Sequence, residues 1–113
     1  MKTGLIAFVM IWWATVSVAH QLLVFAFVED GTVIVETKFS TGKIPVSGDV
    51  RVLDAQNAVL MTLELQSDGT VQFPLDPALS AQGLLIEVTT GEGHDNYWIL
   101  TPDDIARATK ETQ

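Results

Sequence analysis

Between Gln21 and Leu100 the chain repeats one pattern: short runs with apolar residues at every second position, separated by turn-forming residues. In the clearest run, Thr32–Ser40, Val33, Val35, Thr37 and Phe39 alternate with Thr32, Ile34, Glu36 and Lys38. A two-residue period fits a half-buried strand and does not fit a helix. No helical period of useful length interrupts it. The runs 21–28, 32–40, 49–54, 58–66, 70–75, 84–90 and 97–100 read as seven strands. "EDG" (29–31) and "SDG" (67–69) mark tight turns, and the Gly/Pro/Ser-rich "TGKIPVSG" marks a longer loop. Pro74 cannot donate to a ladder, which predicts that the fifth strand is an edge or ends there. "DPALSAQG" is long enough to cross between sheets. The predicted fold class is therefore all-β, a seven-stranded antiparallel Greek-key sandwich.

The N-terminal block follows a different rule. Met1-Lys2 gives a positive start, Leu5 to Trp13 is almost unbroken apolar sequence, and Ser17-Val18-Ala19 puts small residues where a leader peptidase cuts. This is the layout of a secretory signal. The apolar stretch Gly4–Val18 is 15 residues, short of the roughly 20 needed to cross a bilayer as an uncleaved anchor. The expected division is a signal helix over 1–19, a β-sandwich domain over 20–101, and a short helix or disordered tail over 102–113. Thr101 is placed as an N-cap there, with Pro102 at the first helical position and Asp103 and Asp104 in the first turn. The expected location is periplasmic or secreted, with no stable membrane span after cleavage.

Cleavage removes Lys2 and leaves five basic side chains against 14 acidic ones, a net charge of −9. Such a balance repels nucleic acid and anionic membrane surfaces and tolerates cations. The chain has no cysteine, which excludes zinc-thiolate, iron–sulfur and cysteine-nucleophile chemistry and leaves a small exported domain without a disulfide. Most aspartates, Asp49, Asp54, Asp68, Asp76, Asp103 and Asp104, are expected in turns and caps. Glu36, Glu64 and Glu87 fall on the expected solvent faces of strands. The aromatics Phe25, Phe27, Phe39, Phe73, Tyr97 and Trp98 are expected to pack in the core and across strands. Ser40 or Ser47 could be combined with His94, but no nucleophile-elbow pattern or glycosidase-spaced carboxylate pair accompanies them. The expectation is a protein that is not an enzyme.

The chain has two histidines, and both are oddly placed. If the Ala19–His20 bond is cut, His20 gains a free amine beside its imidazole, and the two nitrogens can chelate Ni(II), Co(II), Cu(II) or Zn(II). His94 lies in the Gly-rich "GEGHDN" turn before the last strand. If successive strands alternate direction, the first begins at the end where the sixth finishes, so His20 and His94 share an end. Lateral strand order decides whether they meet. Asp95 or Glu92 would add a carboxylate, giving a site of three nitrogens and one oxygen.

"DVRVLDAQNAVLMTLELQSDGTVQFPL" (49–75) resembles carboxypeptidase regulatory-like, transthyretin-type sandwiches in its V-x-V-x-D strand and D-G-x-x-x-F return. "HQLLVFAFVEDGTVIVETKFSTGK" (20–43) and "GEGHDNYWIL" (91–100) resemble small periplasmic proteins that accompany energy-coupling-factor cobalt and nickel transporters. That resemblance implies a monomeric accessory protein that binds Ni(II) or Co(II), or presents it to a membrane transporter subunit, with His20 and His94 at the metal-handling positions. The alternatives are a non-catalytic structural or protein-interaction module and a periplasmic copper-binding protein, since Cu(II) outcompetes Ni(II) at most nitrogen sites.

Overall fold

The computed structural model describes residues 21–91 and 93–111. In chain order the strands are β1 (Leu22–Glu29), β2 (Thr32–Phe39), β3 (Gly48–Leu53), β4 (Val59–Glu64), β5 (Thr70–Pro74), β6 (Leu84–Thr90) and β7 (Asp95–Leu100). A one-turn helix, α1 (Pro77–Ser80), precedes β6, and α2 (Pro102–Glu111) follows β7. The strands form two sheets, β1-β2-β5 and β4-β3-β6-β7, and every ladder is antiparallel. The result is a sandwich-like arrangement of seven antiparallel strands.

Alternation along each strand makes the core. Leu22, Val24 and Ala26 of β1, Val33 and Val35 of β2, and Val71 and Phe73 of β5 turn inward. They join Val50 and Val52 of β3 and Ile86 and Val88 of β6 in one buried cluster. The connections follow from turn chemistry. Asp30 and Gly31 both have positive φ, 51° and 76°, as the two-residue turn between β1 and β2 requires. The Asp54 carboxylate accepts from the amides of Gln56 and Ala58, and Asp68 accepts from the Thr70 amide and hydroxyl. Asp76 caps α1 inside the crossover that carries the chain from the three-stranded to the four-stranded sheet. Four residues are too few to show a helical period in sequence, so that segment read only as loop.

Asp49, which heads the expected strand 49–54 although it was grouped with the turn aspartates, lies within β3, exposed on its outer face. The residue before it, Gly48, opens the ladder with β6 by pairing with Thr90. A Cβ there would come 2.7 Å from the Thr89 carbonyl oxygen. Glycine lets β3 approach β6 at this point.

The two free edges are both blunted. β5 stops at Pro74. On β4, Met61 opposes Val52 while Val59 opposes Leu53, so Leu60 is the extra residue of a bulge. At the other side β1 and β7 lie alongside one another. Asn96 Nδ2 donates to the Leu22 carbonyl at 2.7 Å, and the Phe25 and Trp98 rings meet edge to face at 5.0 Å. Both contacts advance in the same direction, so β1 and β7 run parallel along this seam. α2 packs against β1 and α1 and sends Ile105 into the core. Among the described residues, no helix is long and apolar enough to cross a membrane.

Candidate functional site

His94 sits in the turn between β6 and β7, half-buried. Its carbonyl accepts from the Thr90 amide at 2.8 Å and the Thr90 hydroxyl at 3.3 Å. Its ring meets Phe39 edge to face at 5.5 Å. Phe39 is in register with Leu22 at the start of β1, and Leu22 is held by Asn96. Lateral strand order, which sequence reading left open, thus sets the start of β1 beside the histidine turn. The preceding residue, Gln21, is tied to Ser40 in both directions, donating its amide to Oγ at 3.2 Å and accepting from the Ser40 amide at 2.8 Å. His20 and Glu92 lie outside the described residues.

Asp95 does not point the same way. It opens β7 opposite Thr89 and is exposed on the outer face of the four-stranded sheet, whereas the His94 ring packs on a residue of the three-stranded sheet. Among the described residues, no group of three or more His, Asp or Glu is placed to hold a metal ion.

The registers of the four-stranded sheet stack its outward residues into three lateral rows. Leu53 pairs with Val59 on one side and Leu85 on the other, and Leu85 pairs with Ile99, giving an apolar row across all four strands. Arg51 pairs with Thr62 and Glu87, and Glu87 with Tyr97, giving a middle row. An Arg51–Glu87 ion pair spans 3.7 Å within it. Asp49 pairs with Glu64 and Thr89, and Thr89 with Asp95, giving an acidic row at the end that carries His94.

The two ends of the apolar row sit on the surface, and Leu85 between them is half-buried. Leu53 is buried, but Val59 is 50% exposed, Ile99 55% and the neighbouring Tyr97 57%. Phe25 packs on Trp98 as expected of a cross-strand aromatic, yet it and Tyr97 both present much of their rings to solvent. Two hollows flank the acidic row, one of about 380 Å³ against Asp49, Glu64 and Thr89, the other of about 310 Å³ against Glu87, Asp95 and Tyr97.

Strand alternation shows which of these residues point outward. The rows require the order β4-β3-β6-β7, and no single strand carries that information. No protein-family model matches the chain, and no curated protein matches it.

Proposed function

We propose that this chain is a non-catalytic β-sandwich module that works by binding another protein through the outer face of its four-stranded sheet. The observation that carries the reading is the apolar row Val59–Leu53–Leu85–Ile99, extended by Tyr97 and open to solvent at both ends. Exposed large apolar and aromatic groups gathered on one face mark interaction surfaces far better than scattered ones do. The edges support a face rather than strand addition, because a bulge on β4 and Pro74 on β5 both hinder pairing with a further strand. Affinity capture from the native host tests this. A partner held by the wild-type chain and lost by Tyr97→Ser/Ile99→Ser supports the module, and equal capture by both contradicts it.

A second reading has its own observation, the contacts that put the start of β1 beside His94. In an exported chain beginning at His20, the His20 amine and imidazole with the His94 imidazole would bind Ni(II) or Co(II), with Cu(II) as competitor. The protein would then be a periplasmic accessory of a metal transporter, on a carboxypeptidase regulatory-like sandwich, as its motif segments suggest. Calorimetric titration of the processed chain tests it. Binding tighter than about 1 mM, about 4 kcal/mol, that weakens in His94→Ala supports the site. No heat, or none that depends on His94, removes it.

A further inference from the structure

We infer that the partner segment taken by this face is a basic amphipathic helix lying along the strands, with its apolar end over Leu85 and Ile99 and its Lys/Arg end over Asp49, Glu64 and Asp95. The inference rests on the interaction-module reading and specifies its occupant.

The three rows give the face a direction. Moving from the apolar row to the acidic row means moving four residues along a strand, for example from Leu53 to Asp49, or about 13 Å at 3.3 Å per residue. A helix rising 1.5 Å per residue covers nearly that distance in two turns, so its apolar and basic contacts belong about seven or eight positions apart. The face is four strands wide, about 14 Å at 4.8 Å per strand spacing. One helix of about 10 Å diameter therefore covers β3 and β6 and reaches the flanking strands.

Charge selects the sign of the partner. The face carries Asp49, Glu64, Glu87 and Asp95 against the single cation Arg51, which Glu87 already engages. Nucleic acid and anionic lipid are repelled by such a surface.

A second copy of the chain fits no better. A two-fold axis along the strands sets acidic row on acidic row, and one across the strands sets the acidic row on the apolar row. The segment preceding Gln21 has the wrong polarity, since it joins β1 at the acidic end and its one lysine or arginine, Lys2, stands 19 positions away. What remains is a separate basic polypeptide, whose apolar residues anchor it while its charges set orientation and association rate.

Nuclear magnetic resonance titration of the processed, ¹⁵N-labelled chain tests the inference. The probe is an alanine-based peptide of about 15 residues, long enough for helix to be marginally populated. It carries leucines on one face and arginines two turns further along the same face, and its twin carries glutamate for each arginine. The expected result is that the arginine peptide shifts Arg51, Leu85, Glu87, Tyr97 and Ile99 and binds at least about tenfold more tightly than the twin. Asp49→Asn/Glu64→Gln should weaken it about threefold or more, and raising salt from 50 to 300 mM should weaken it further. Equal binding by the twin, shifts confined to the outer face around Phe25 and Lys38, or no shift at millimolar peptide would each overturn the inference. The module reading falls separately, only if partner capture is indifferent to Tyr97 and Ile99.

Discussion

Asp49 and Glu64 stand directly opposite one another across β3 and β4, two carboxylates in register on the same exposed face. Like charges so placed destabilise a sheet by about 0.2–1 kcal/mol. Asp49→Asn should therefore raise the thermal midpoint slightly, most at low salt. A midpoint that is unchanged or lower at low ionic strength would show that the pair does not repel.

Ile86 and Ile99 separate stability from binding. Ile86 is fully buried between the sheets, and Ile86→Ala should cost about 2–5 kcal/mol in chemical denaturation. Ile99 on the neighbouring strand faces outward, and Ile99→Ser should cost no more than about 1 kcal/mol. Comparable losses at the two positions would mean that Ile99 is part of the core.

Gly48 holds β3 close to β6. Gly48→Ala would drive a methyl group to 2.7 Å from the Thr89 oxygen, and the backbone on one side must move. The expected cost is about 1–3 kcal/mol, in the range of overpacked core substitutions. The affected amides, seen by hydrogen exchange, should be those at the start of β3 and the end of β6.

The cap of α2 gives a pH dependence. The Thr101 amide donates to Asp104 Oδ2 at 3.0 Å, and the Asp104 amide donates to Thr101 Oγ1 at 3.1 Å. This reciprocal bonding is a capping box with aspartate in the acidic position. The Thr101 amide, and after it the Thr101 hydroxyl, holds the Asp104 carboxyl below its ordinary value. A depressed carboxylate stabilises the fold fully above its unfolded pKa, near ~3.9, and that stability is lost as pH falls through the lower folded value. Amides in the first turn of α2 should lose protection against exchange below about pH 4; Asp104→Asn should remove the dependence, whereas Thr101→Ala, which keeps the donating amide, should only reduce it, at a cost of about 0.5–2 kcal/mol. The Thr70 hydroxyl lowers the Asp68 carboxyl in the same direction, so what this bond lends the turn between β4 and β5 is lost over the same acid range.

Strands and short turns were legible because they are local. Val33, Val35 and Phe39 announce their side of β2 by spacing alone, and Asp30-Gly31 announces its turn by chemistry. The order of strands was not legible, because β3 meets β6 and β1 lies beside β7 through contacts between residues distant in the chain. The same gap hid the candidate face. Asp49 and Arg51 come from β3, Glu64 from β4, Glu87 from β6 and Tyr97 from β7, and nothing in any one strand says that they stack. Tyr97 and Phe25 were expected to pack because of their residue type; Phe25 does so on Trp98, but both rings sit at outward positions and follow the strand's period toward solvent. The His94 end was partly legible, since strand parity placed the start of β1 and the turn at one end, and the Leu22–Asn96 bond supplies the lateral neighbourhood that parity lacks.

The most direct test of the binding face compares one captured partner against three single variants, Ile99→Ser on the four-stranded sheet, Phe25→Ser on the three-stranded sheet, and His94→Ala at the turn. Dissociation constants are measured with purified proteins of confirmed fold. The face described above predicts that Ile99→Ser weakens binding at least about fivefold, the threshold of a contact worth about 1 kcal/mol, while the other two leave it within about twofold. Binding that survives Ile99→Ser and collapses with Phe25→Ser or His94→Ala would contradict it.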